Sequence, residues 1–199
     1  LLAFAEITEV PVVDPANQSS HSALGLSFGL PFDLQDWIDE HRHELKPPVA
    51  NRLLWSGADM DVMIVGGGTS RIDFHDDPHP EFFHQLEGSM VLRLMDGPGR
   101  PPRDIEILAG EVFLLPSHVR HSPRRVDPAG IGLVVEFIRP PGVVDGFEWF
   151  CERCYHLLHR VEVQVGSIVK DLPPLFAAFS ADLEARTCEK CGEVHPGSG

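Results

Sequence analysis

The sequence has no run approaching about 18 consecutive apolar residues, so no membrane-spanning helix is expected in it. Its first residues, Leu1 to Ala5, are apolar, but they lack a basic flank and soon meet Glu6. A secretory signal is therefore not expected, and the default location is cytoplasmic. Basic residues are also scarce: 16 Lys and Arg stand against 30 Asp and Glu, a formal charge of -14. Such a surface repels phosphate backbones, which excludes nucleic acid as an expected partner. With only four cysteines and no secretory signal, a disulfide framework is not expected either.

The residues present point to a turn-rich β protein. Gly and Pro number 18 each without a repeat, and the apolar fraction of 43% suits a globular chain. At 199 residues there is room for one domain with a sizeable core plus a small appendage. Asp33 to Leu45 reads as an amphipathic helix capped by Asp33 and stopped by Pro47-Pro48, with Leu34, Trp37, Ile38 and Leu45 on one face. His41 and His43 are expected on its surface. From Arg52 to about Arg139 short alternating runs separated by turns predict a sandwich or barrel. Gly66 to Gly68 is no phosphate loop, because no Lys-Ser/Thr follows it. A strand over 157–165 and a helical patch over 172–186 are expected beyond Pro140-Pro141. The expected division is an N-terminal arm (1–30), a barrel (31–145) and a C-terminal segment (146–199).

Two stretches carry the chemistry. Arg71-Ile72-Asp73-Phe74-His75-Asp76-Asp77-Pro78-His79-Pro80-Glu81 is answered by Gly110 to His121, with Arg125 beyond. Residues two apart on a strand share a face, so Asp73 and His75 are expected to point into the barrel, with Glu81 and His121 arriving from neighbouring strands. Two imidazoles and a carboxylate form the ligand set that non-haem Fe(II) oxygenases use while leaving open positions on the metal. The paired pattern is similar to the cupin signature. Gly67, Asp73, His75, Glu81 and Gly88 match its first part; Gly110, Pro116, His118, His121 and Arg125 match its second. Asp73, His118 and Arg125 depart from the residues that signature carries. The expected metal ligands are His75, Glu81 and His121, while His79, His84 and His118 are read as ordinary polar residues. Arg71 and Arg125 in an acidic protein suggest carboxylate recognition, and Glu136 suggests a hydrogen-bond acceptor for a substrate amine or hydroxyl. The competing reading is a structural Arg–Glu pair.

Cys151-x2-Cys154 and Cys188-x2-Cys191 predict a closed four-thiolate site for Zn or Fe, with a structural role.

Over residues 31–197 the chain resembles bacterial 3-hydroxyanthranilate 3,4-dioxygenases. The resemblance rests on Trp37-Ile38-Asp39-Glu40-His41, Lys46-Pro47-Pro48-Val49, Asn51-Arg52, Asp73-Phe74-His75-Asp76-Asp77-Pro78, Phe113-Leu114-Leu115-Pro116, Asp145-Gly146-Phe147-Glu148-Trp149 and both cysteine pairs. It implies a mainly β cupin, a jelly-roll barrel with a few short helices and a small rubredoxin-like four-cysteine unit. It further implies Fe(II) at His75, Glu81 and His121, and cleavage of 3-hydroxyanthranilate by O2. Arg71, Arg125 and Glu136 would hold that substrate, Asp73 would orient the ligands, and Asn51 would lie on a closing loop. A homodimer is implied too. Phe137 and Pro80 depart from the family's residues, and Phe137 raises the alternative of a relative acting on a substituted ring. A non-catalytic acid-binding cupin and a metal-dependent isomerase or decarboxylase are the other readings.

Overall fold

The computed structural model describes residues 31–47, 50–55, 59–166 and 168–197. The expected N-terminal arm lies outside the described residues. Helix α1 (Leu34–His41) opens the fold, and Asp33 caps it by accepting from the backbone N–H groups of Gln35 and Asp36. It is shorter than its periodicity predicts. After His41 the backbone tightens into three-residue bonds (Glu44 N–H to His41 O, 2.8 Å), which carries Leu45 down into the core. His43 is exposed, whereas His41 is half-buried, with its ring stacked on Trp37 at 4.2 Å.

Among the described residues twelve strands follow: β1 (Asn51–Trp55), β2 (Met60–Gly66), β3 (Thr69–Ser70), β4 (Phe74–Asp76), β5 (Glu81–Glu87), β6 (Ser89–Met95), β7 (Arg103–Leu108), β8 (Val112–Leu115), β9 (Arg120–Arg125), β10 (Ile131–Phe137), β11 (Asp145–Phe150) and β12 (Leu157–Val163). One sheet runs β1-β2-β10-β5-β8, and the other runs β12-β11-β4-β9-β6-β7 with β3 also on β9. All pairings are antiparallel. The mainly β cupin fold expected from the sequence is the one observed.

Strand alternation assigns each face. On β10, Val134 packs inside the barrel with Phe83, Leu92 and Leu115, while Ile131 and Leu133 face outward onto Ile38 and Leu45 of the α1 layer. Glycine is required where backbones meet. A Cβ on Gly67 would lie 1.8 Å from Asp127 O, so this turn admits no side chain.

The second sheet continues past the expected boundary at 145, because β11 pairs with both β4 and β12. Beyond it lie α2 (Ile168–Ala181) and α3 (Leu183–Arg186). Helix α2 starts four residues before the patch predicted at 172, with Pro173 and Pro174 inside it. Phe147, Trp149, Leu172 and Phe179 bury one another, and Phe179 stacks on Trp149 at 4.5 Å, which fixes α2 against the sheet. Among the described residues no helix is long and apolar enough to cross a membrane.

Candidate metal centre and cavity

His75 on β4 and His121 on β9 are register partners in one sheet, with ring centroids 5.2 Å apart. Glu81 does not come from a neighbouring strand of that sheet, as the spacing alone suggests. It opens β5 in the facing sheet, after the turn at Pro78-His79-Pro80. The three side chains are buried and offer ligand atoms within 4.8 Å of one another. Asp73 is not in this set.

The atoms fit a cation. His121 Nδ1 is 2.9 Å from Val119 O, a contact that requires an N–H there. Its Nε2 lies 2.8 Å from Glu81 Oε2, yet Glu81 Oε2 has no hydrogen-bond partner of acceptable geometry. A buried carboxylate oxygen without a donor is costly, and a metal ion between the two groups removes that cost. Burial pushes His121 down, but Glu81 wins and raises it; burial pushes Glu81 up, but His121, His75 and Arg71 win and lower it. His75 is lowered by burial despite its contact with Asp145, which leaves a neutral imidazole with one unprotonated nitrogen.

A small cavity of about 40 Å³ opens above these residues. Arg71, Glu136, Arg139 and Asp145 give it polar walls; Pro123, Phe147, Val165 and Leu172 give it apolar ones. Arg71 is braced by Asp73 (Nε to Oδ1 3.0 Å, Nη2 to Oδ2 2.5 Å), and its guanidinium lies 5.9 Å from the Phe147 ring centre and 5.7 Å from that of Phe176. Burial lowers Arg71, but Asp73 outweighs it and raises the group, so it stays charged.

Arg125 sits deeper. His121, Pro123 and Arg125 alternate along β9 toward the interior, and the Arg125 guanidinium packs over Gly132, where a Cβ would lie 2.6 Å from Nη1. It is 4% exposed, and the one side-chain hydrogen bond it makes among the described residues, to Gln85 Oε1, is long at 3.4 Å. Burial pushes it down to about 10, against the pull of Glu81. It does not line the cavity in this state. Asn51 is the first residue of β1, paired with Val65, and also stands apart from the cavity. Phe137, expected as a possible reshaping of the substrate wall, faces away: strand alternation turns it outward, 42% exposed, against His79. His118 adopts a left-handed backbone (φ 61) and binds Asp76 through Nδ1 at 3.0 Å, away from the three ligand candidates.

Sequence reasoning missed Arg139 and Asp145. Glu136 is paired, but with Arg139 (2.5 Å) rather than with Arg71 or Arg125. Burial first, then the charge of Glu81, pushes Glu136 up to about 7 against Arg139. The unfolded acid releases its proton near the ordinary 4.5, so between these values the folded protein holds the extra proton. Stability is therefore lost as pH rises through about 7. Relative to Glu136→Gln, metal-free wild type should lose about 2–3 kcal/mol between roughly pH 4.5 and 8. Urea unfolding across that range checks this, and parallel pH profiles for the two proteins would contradict it.

A second cluster lies in the C-terminal unit. Cys151 Sγ and Cys191 Sγ are 3.5 Å apart, and Cys154 Sγ and Cys188 Sγ 3.6 Å, far beyond a disulfide and close to the ~3.8 Å of thiolates around one tetrahedral ion. Two matching knuckles build it. Tyr155 N–H donates to Cys151 O (2.9 Å) and Gly192 N–H to Cys188 O (2.8 Å), and Tyr155 (φ 57) and Gly192 (φ 76) are both left-handed. Cys188 is drawn down to about 7: burial resists, and the backbone N–H groups of Cys191 and Lys190 outweigh it. Cys191 is pushed up to about 12, because burial and the other three thiols prevail over the backbone N–H of Glu193. The protein alone accommodates few thiolates here; a metal ion accommodates four.

A cupin barrel with His, Glu and His converging at one end of its cavity defines a metal-dependent cupin. The model of the family "3-hydroxyanthranilic acid dioxygenase" matches residues 28–180. The chain belongs to that family and is a dioxygenase. It is 55% identical over 166 residues to the 3-hydroxyanthranilate 3,4-dioxygenase of Jannaschia sp., covering 83% of this chain and 91% of that one. To the enzyme of the same name from Paraburkholderia phytofirmans it is 54% identical over 173 residues, covering 86% and 98%. Among solved structures, a cupin-2 domain protein from Shewanella frigidimarina shares 18% identity at a TM-score of 0.40, over 53% of this chain and 99% of that chain.

Proposed function

We propose that this chain opens the aromatic ring of 3-hydroxyanthranilate with O2, both oxygen atoms entering 2-amino-3-carboxymuconate 6-semialdehyde. This is a step of tryptophan breakdown on the route to quinolinate. The observation that carries the reading is the unpartnered Glu81 Oε2 beside His121 Nε2, at the floor of a cavity walled by Arg71 and Glu136. The relatives' names supply the substrate. His75, Glu81 and His121 would hold Fe(II), which supplies Lewis acidity and a place for O2 beside an electron-rich ring.

The remaining work belongs to side chains. Arg125 is a buried cation with one long amide contact, so a substrate carboxylate offers it the partner it lacks. Arg71, held by Asp73, supplies a second fixed positive charge at the rim. Glu136, raised toward neutrality, can accept or hold a proton from the substrate's hydroxyl or amine at its carboxylate oxygen. Pro123, Phe147, Val165 and Leu172 exclude water from the ring. Phe137 lies outside this wall, so it gives no reason to prefer a substituted substrate. The four cysteines would hold Fe or Zn, and the protein would act as a cytoplasmic homodimer with no nucleic-acid or membrane partner. The barrel would carry the site, and the segment from residue 146 would carry the cysteine unit.

The test is O2 consumption by anaerobically Fe(II)-loaded protein given 3-hydroxyanthranilate, with ultraviolet absorbance in parallel. One O2 per substrate and a new semialdehyde chromophore are expected. Binding without O2 uptake would indicate an acid-binding cupin instead. In the same assay Arg125→Ala should raise KM by about 100-fold; an unchanged KM would remove it from carboxylate recognition.

A further inference from the structure

Arg139 stands just beyond β10, buried, and each of its three guanidinium nitrogens is engaged. Nη1 donates to Glu136 Oε2 (2.5 Å) and Phe137 O (2.9 Å); Nη2 donates to Asp77 Oδ2 (2.6 Å) and Asp145 Oδ1 (2.7 Å); Nε reaches Asp145 Oδ1 and Oδ2 at 3.0 and 3.1 Å. Asp145 is fully buried, and its Oδ1 lies 2.8 Å from His75 Nε2. Glu136 and Asp145 both line the cavity, but they belong to opposite sheets. One planar cation therefore spans the gap between a wall carboxylate of one sheet and the histidine-bound carboxylate of the other. His75, Asp77 and Asp145 also lie close enough to form a second potential metal set. Arg139 already bonds two of its three members, so a cation there would have to displace the guanidinium.

We propose that Arg139 is a positioning residue that fixes His75 through Asp145 and Glu136 directly, so that metal retention and substrate binding depend on one guanidinium. Its substrate arm rests on the function proposed above; its metal arm does not. A fork geometry is required, since no ammonium can bond two carboxylates and brace a third in one plane. Losing such outer hydrogen bonds to a ligand histidine typically costs 10- to 100-fold in metal affinity.

The experiment compares wild type with Arg139→Lys, Asp145→Asn, Glu136→Gln and the two double variants containing Arg139→Lys. Fe(II) release from the barrel is followed by a colorimetric chelator, KM by O2 uptake, and folding by thermal melting. Release should quicken about 10-fold in Arg139→Lys and in Asp145→Asn. Their combination should add little, because both break one chain of contacts. Glu136→Gln should leave release within about twofold while raising KM, and adding Arg139→Lys to it should raise KM little further. A lowered melting temperature in Arg139→Lys with release and KM unchanged would reduce Arg139 to a clamp between sheets and overturn the proposal. Effects that multiply in the doubles would also overturn it. Should Arg139→Lys fail to fold, Asp145→Asn decides alone, since the link from Arg139 to His75 runs through Asp145: unchanged release refutes it. Wild type that holds iron but consumes no O2 would refute the substrate reading, while the release comparison would still decide the metal arm.

Discussion

Protein carrying His121→Ala is expected to hold no metal at the barrel site and to lose at least about a thousandfold in O2 consumption. The imidazole is 1% exposed and is oriented from behind by Val119 O, so its loss removes a fixed donor atom from the floor of the cavity. What remains is His75 and Glu81, one ligand from each sheet, too few to hold an ion against release. Glu81 would lose the strongest of the influences that lower it, keeping only His75 and Arg71 against burial, which weakens the remaining site further. Metal analysis alongside the oxygen electrode checks this, with wild type measured in parallel. Full metal occupancy of the barrel with retained turnover would remove His121 from the ligand set.

The second large effect is expected at Cys188→Ser. That substitution removes the thiol most readily ionised in the protein alone, and with it one corner of the four-sulfur cluster. The unit should release its ion, and the melting temperature should fall by roughly 10 °C. The damage should not stay local. The knuckle at Cys188 follows α3, which follows α2, and α2 carries Leu172 into the cavity wall and Phe179 onto Trp149. KM should therefore rise as well, by about fivefold. Differential scanning calorimetry and steady-state O2 uptake measure the two effects. An unchanged melting temperature in demonstrably metal-free unit would mean the knuckles close by backbone hydrogen bonds alone.

The candidate ligands were legible as a set because their spacing is a local property. His75, Glu81 and His121 sit in short motifs whose strand alternation turns them inward, and two cysteine pairs announce themselves in any fold. The same alternation turns Phe137 outward, since it follows the inward Glu136 on one strand, and the expectation that it shapes the substrate wall overlooked this. Which sheet delivers Glu81 was not, because strand order is settled by long-range pairing that no local pattern records. Arg139 escaped for the same reason: its partners Asp77 and Asp145 come from other strands, and a lone arginine after Phe137-Ile138 looks like any surface residue. One signal was present in Gly132, a glycine near the start of an apolar strand, which marks the close approach of another group and turned out to mark Arg125.

The order of residues around the cavity has a consequence for the chain as it is made. Synthesis proceeds from the N-terminus, and His75, Glu81, His121, Glu136 and Arg139 all emerge before Val165 and Leu172. A nascent barrel thus owns its candidate metal-binding groups while its roof is still inside the ribosome. Its cavity at that stage is an open basin, able to take an ion and unable to keep water from it. Only when the last cysteine pair closes on the first is α2 pinned at both ends, so a protein of this design acquires its reactive interior last.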